Sequence, residues 1–163
     1  MRADELRRAI EEDIAAGHRP ICVIPTIGTT SSTSVDPVGE IADIAEEFGI
    51  WMHVDAAYAG PAAVLEEKRH FFTGWERADS IVLNPHKWLF TPFDLSAFYC
   101  RDMASLKAAF SLVPEYLRTS EQTTVKNGMD YGIQLGRRFR SLKLWFVLRY
   151  VGRPVRWLCP PWV

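Results

Sequence analysis

A lysine stands between a histidine and a tryptophan in Asn84-Pro85-His86-Lys87-Trp88, directly after the apolar run Ile81-Val82-Leu83. Asp55 lies 32 residues upstream of Lys87, closing His53-Val54-Asp55 and opening the small and aromatic segment Ala56-Ala57-Tyr58. A lysine attacks an aldehyde only as the neutral amine, and its ordinary pKa of about 10.4 keeps it charged in water, so a reactive lysine needs a special site. A carboxylate opposite a pyridine nitrogen keeps that nitrogen protonated, and the protonated ring then draws electrons from a substrate carbon. Together these are the demands of pyridoxal phosphate (PLP) chemistry. Pro85 fixes the backbone ahead of the lysine, Asn84 offers donors for a phosphate oxygen, and Ala56 and Ala57 would let a flat ring lie close to the main chain. A lysine after a strand is often only a surface residue, and a strand-end aspartate often only caps a helix or holds a serine. The pair therefore gains meaning from what positions it.

The pattern of apolar positions predicts an amphipathic helix over 4–16, with Leu6, Ile10 and Ile14 on one face and Gly17 as its end. Ile21-Cys22-Val23-Ile24 reads as a buried strand, followed by the hydroxyl-rich loop 26–34. Asp36-Pro37 has the chemistry of a helix start, and a helix is expected from Val38 to Phe48, stopped by Gly49. Strands are expected over 50–55, 80–83 and 95–100, with a short helical segment near 61–70. Helices are expected over 103–110 and 133–151, the latter from Leu135, Phe139, Leu142 and Phe146 at helical intervals, and residues 111–132 read as a long, polar, mobile loop. Alternating strands and helices predict an α/β fold with a largely parallel sheet. Such sheets bind ligands beyond the C-terminal ends of their strands, which is where Thr30, Asp55 and Asn84–Lys87 fall.

The chain resembles the group II PLP-dependent decarboxylases, the aromatic-L-amino-acid decarboxylase family. The matching stretches are Ile27-Gly28-Thr29-Thr30-Ser31, His53–Gly60, Asn84–Trp88, Pro114-Glu115-Tyr116-Leu117 and Leu135–Lys143, in collinear order over residues 5–152. The resemblance implies the central part of the large PLP-binding domain of a fold-type I enzyme, with a mostly parallel sheet flanked by helices. It implies that Lys87 forms the internal aldimine, that Asp55 pairs with the pyridine nitrogen, and that Ala57 presses on one ring face. Thr30 would bind the cofactor, and Asn84 and His86 would approach its phosphate. Tyr116 would return a proton to the substrate carbon after carbon dioxide leaves. A tyrosine there goes with amine formation in this family, and a phenylalanine with oxidative deamination to an aldehyde. The expected reaction is decarboxylation of an aromatic L-amino acid by a homodimer. Relatives also carry an upstream phosphate-binding segment and a ring-stacking histidine, neither of which can be placed here, so residues 1–163 by themselves are expected to be weakly active or inactive.

The bulk properties set limits on other functions. The chain has 163 residues, 48% of them hydrophobic and 24% charged, which is globular composition. A net charge of −1 gives no field to gather nucleic acid. No stretch approaches the roughly 18 uninterrupted apolar residues of a membrane span. The charged start Met1-Arg2-Ala3-Asp4-Glu5 does not read as a signal peptide. Cys22, Cys100 and Cys159 lack a CxxC spacing and read as reduced thiols, so a cytoplasmic protein is expected. Residues 1–152 read as one domain and 153–163, with three prolines and two tryptophans, as a tail of different character. A different PLP enzyme, such as an aldehyde-forming relative or a cysteine desulfurase, and a non-catalytic α/β remnant are the competing readings. A metal site is disfavoured because His53 and Asp55 have no third ligand in view.

Overall fold

The computed structural model describes residues 1–110 and 127–151, which divide into two compact units, one of residues 1–99 with 140–151 and one of residues 100–110 with 127–139.

In the first unit, helix α1 (Ala3–Ala15) buries Ile10 and packs on helix α2 (Val38–Phe48). Ile41, Ala42, Ile44 and Ala45 of α2 are all buried, as the helical spacing predicts. The helix stops where expected: Gly49 takes φ +63°, its N–H reaches the Glu46 carbonyl, and the Ile50 N–H reaches that of Ala45. Its start differs from expectation. Asp36 does not cap α2; its Oδ2 accepts the Thr26 N–H at 2.8 Å, so the carboxylate ties the preceding loop to the end of the first strand.

The sheet runs β1 (Cys22–Val23), β2 (Trp51–Asp55), β3 (Ser80–Leu83) and β4 (Ala97–Cys100), in that spatial order. β1–β2 and β2–β3 are parallel, with Cys22 opposite Trp51, His53 opposite Ser80, and Asp55 opposite Val82. Strand alternation then sorts β2: Met52 and Val54 are buried against α2, while Trp51, His53 and Asp55 share the other, half-buried face. Between β2 and β3 the chain forms tight 3-10 turns at Gly60–Val64, Glu66–Phe72 and Trp75–Arg77, and Ala62 and Phe72 join the core. Arg77 pairs with Asp43 and Glu46 of α2 at 2.7 Å each, which draws these turns onto that helix.

A one-turn helix, α3 (Pro85–Trp88), follows β3. In the second unit, α4 (Met103–Phe110) starts at Asp102, whose Oδ1 accepts the N–H groups of Ala104 and Ser105. A 3-10 turn at Gly128–Tyr131 carries Asp130, whose buried Oδ2 meets Lys107 Nζ at 3.0 Å.

Helix α5 (Arg140–Val151), in the first unit, is shorter than the 133–151 expected. Residues 133–139 are irregular, and Leu135 and Phe139 are exposed. Two features compete with the helical spacing there: Gly132 and Gly136 lower helix propensity, and the Arg137 side chain folds back over Gly132, where a Cβ would come within 2.4 Å of its Nη2. The α/β class and the largely parallel sheet are as the sequence predicts. Residues 111–126, expected to form a polar loop, and 152–163 lie outside the described residues.

Candidate active site

Parallel pairing brings the C-terminal ends of β1, β2 and β3 to one edge of the sheet, and with them the loops holding Thr30, Asp55 and Lys87. Main-chain bonds stitch these loops together. The Asp55 N–H donates to the Pro25 carbonyl and its carbonyl accepts the Ile27 N–H, both at 2.9 Å. The Asn84 N–H donates to the Ala57 carbonyl at 3.1 Å. Gly28, at φ +84°, sits so close to the Asp55 loop that a Cβ would lie 2.6 Å from the Ala59 Cβ, a contact only glycine permits. The buried Trp88 ring meets Tyr58 edge-to-face at 4.9 Å, anchoring the lysine turn against the same loop.

Asp55 Oδ1 accepts the Ala57 N–H at 3.0 Å. Among the described residues this is the only hydrogen bond to the carboxylate, so Oδ2 has a free acceptor site. Ala57 follows, half-buried, with only a methyl group beyond the main chain. Lys87 is exposed on α3, and among the described residues no hydrogen bond or ion pair engages its ammonium. Asn84 Oδ1 accepts the Ser96 hydroxyl at 2.6 Å, and the His86 Nδ1 accepts the Leu95 N–H at 2.9 Å. Thr30 is exposed in the loop 29–34, which is closed on itself by Thr29 Oγ1, Ser32 Oγ and the Ser34 N–H. Tyr116 lies outside the described residues.

Beside Asp55, on the same strand face, the His53 ring stacks on Phe98 at 5.9 Å and its Nδ1 lies 2.8 Å from Ser80 Oγ. Ser80 Oγ also accepts the Trp51 Nε1–H at 2.9 Å, so one hydroxyl joins both side chains. Burial pushes the His53 pKa down, and the nearby Asp55 charge opposes the shift. Ser80 and Ser96 are the polar groups sequence reading overlooked. Each acts on a residue far away in the chain, through strand register or loop closure, and neither carries a local motif.

The groups present fit a flat, ring-protonated cofactor that carries an aldehyde: an open carboxylate oxygen, a small-residue bed beside it, and an unengaged lysine on the adjoining loop. The architecture is that of part of the large cofactor-binding domain of a fold-type I α/β enzyme. Comparison with known proteins makes the class specific. The pyridoxal-dependent decarboxylase conserved domain matches residues 1–154, and the chain belongs to that family of PLP-dependent carboxy-lyases. It is 52% identical over 152 residues to tyrosine/DOPA decarboxylase 3 of Papaver somniferum, covering 92% of this chain and 28% of that protein. It is 50% identical over 151 residues to a phenylacetaldehyde synthase of Petunia hybrida, covering 91% of this chain and 30% of that one. Among solved structures it is similar to the Oryza sativa TDC with PLP and tryptamine, with a TM-score of 0.88 and 46% identity, covering 94% of this chain and 32% of that one. The chain thus spans under a third of the length of these relatives.

Proposed function

We propose that this chain carries the lysine and the ring-nitrogen carboxylate of a PLP-dependent decarboxylase that converts an aromatic L-amino acid to its amine. The observation that supports this most directly is the stitched junction of three strand-end loops, which sets the unengaged Lys87 and the open Asp55 Oδ2 at the same sheet edge. PLP, when bound, supplies an electrophilic aldehyde carbon and an electron-withdrawing ring. Lys87 is the amine that would hold the cofactor at that carbon. Asp55 Oδ2 would accept the ring N–H and keep the proton there. Ala57 would support one ring face, Thr30 would help fix its orientation, and Asn84 and His86 would bind toward the phosphate. Tyr116 would give its phenolic proton to the substrate carbon once carbon dioxide has left.

A second reading is favoured by one comparison: the Petunia hybrida relative is named an aldehyde synthase. Tyr116 supports the amine-forming reaction over that one, and so does the decarboxylase name of the Papaver somniferum relative. We further propose that residues 1–152 form the central part of the large domain, with 153–163 as a separate tail, in a cytoplasmic homodimer. Cys22 and Cys100 are free thiols, in keeping with a reducing compartment.

The test is PLP titration, borohydride reduction and peptide mapping. The reduced adduct is expected on Lys87 and should vanish in Lys87→Ala. Asp55→Asn should weaken cofactor retention by about tenfold or more. An adduct that persists in Lys87→Ala would overturn the assignment. In turnover, amine with carbon dioxide supports the first reading, and aldehyde with ammonia and peroxide supports the second.

A further inference from the structure

The segment between α3 and β4 touches the lysine turn on one side and α5 on the other. On the first side, the Leu95 N–H reaches His86 Nδ1 at 2.9 Å, and the Ser96 hydroxyl reaches Asn84 Oδ1 at 2.6 Å. On the second, Arg140 grips both carboxylate oxygens of Asp94, Nε to Oδ1 at 3.3 Å and Nη2 to Oδ2 at 3.1 Å. Lys143, one turn further along the same helix face, donates to the Asp94 carbonyl at 2.7 Å. Arg140 and Asp94 are both partly buried, with side chains 24% and 35% exposed, so the fork is shielded better than a surface ion pair. Leu95 itself is buried.

These contacts form one chain of positions. Asp94 and Leu95 are adjacent, so fixing Asp94 fixes the direction of the Leu95 N–H. A backbone N–H can only donate, so His86 Nδ1 must be the acceptor, and the ring proton of the neutral imidazole must sit on Nε2. The same segment holds Asn84, the residue that leads into the lysine turn.

We propose that Arg140 and Lys143 are positioning residues for the lysine turn: through Asp94 they aim the Leu95 N–H at His86 and hold its imidazole in the Nε2–H form, so that the ring presents a donor, not an acceptor, beside Lys87. The inference rests on the functional reading above for its purpose, since a donor at Nε2 suits an anionic phosphate, but its geometry concerns only the chain's own residues. It gives α5 a part in the site through its hold on Asp94.

The experiment is imidazole 15N–1H correlation and amide hydrogen exchange on the cofactor-free 163-residue chain, followed by borohydride trapping after PLP is added. The parent should show His86 in the Nε2–H form and a protected Leu95 amide. Arg140→Ala should mix the two tautomers, speed Leu95 exchange by about tenfold or more, and slow adduct formation at Lys87 by about tenfold, with Val54 amide protection unchanged. Asp94→Asn keeps the size of the side chain and the carbonyl used by Lys143, and should give a smaller change of the same sign. Unaltered His86 tautomer and Leu95 exchange in Arg140→Ala, with Val54 still protected, would overturn the proposal. Should Arg140→Ala lose Val54 protection, the same two readings in Asp94→Asn decide. Absence of any adduct in the parent would sink the functional reading, while the tautomer result would still judge the clamp.

Discussion

Ser80 shows how one hydroxyl can tie together two side chains of a neighbouring strand. On the strand face that also carries Asp55, its hydroxyl accepts the Trp51 indole N–H and hydrogen-bonds Nδ1 of the half-buried His53. Burial lowers its pKa from the ordinary imidazole value of about 6.5. The folded chain then binds fewer protons at this site than the unfolded chain over the interval below that value. Its contribution to stability is complete above about pH 6.5 and is lost as pH falls toward the folded value. The stability advantage of the parent over His53→Gln, from urea midpoints, should therefore narrow between about pH 7.5 and about pH 5.5; a constant gap would refute this. Gly28→Ala meets two obstacles, a left-handed φ of +84° and the Ala59 Cβ at 2.6 Å. It should cost about 2 kcal/mol, read as a lower urea midpoint. Asp55 and Asn84–Lys87 were legible in the sequence because each stands at the end of an apolar strand run and needs no register to be noticed. The Ser80–His53 and Asp94–Arg140 pairs were not, because partners 27 and 46 residues apart meet only through the fold.

At the scale of elements, α2 and β2 were readable because burial follows their own periods, 3.6 in the helix and 2 in the strand. Ile41 is fully buried between them, and Ile41→Ala should cost about 3 kcal/mol in a denaturant titration. A loss below about 1 kcal/mol would mean that the core closes around the cavity. The start of α5 was misread for a physical reason. Leu135 and Phe139 keep helical spacing, but both are exposed, so no burial rewards the helix there and the glycines beside them prevail. The short α3 was not anticipated either. A proline at its first position suits a helix start as well as a turn, and four residues show no period.

At the scale of the whole molecule, several large apolar side chains among the described residues are exposed. Ile21 is 74% exposed at the start of β1, and Tyr150 on α5 is 94% exposed. Apolar surface of this kind promotes association. Ile21→Lys should reduce concentration-dependent association, measured by sedimentation, while shifting stability by no more than about 0.5 kcal/mol; equal association in both chains would exclude this surface as the cause. The order β1-β2-β3 has a consequence of handedness. Both connections between these parallel strands step across the sheet in the same direction, and such crossovers are right-handed almost without exception. Right-handed steps in one direction pass over one side of the sheet, the side of Met52 and Val54, where α2 and the 3-10 turns lie. Neither connection can therefore roof the side of Trp51, His53 and Asp55. Chirality alone assigns the cover of that carboxylate to some other stretch of polypeptide.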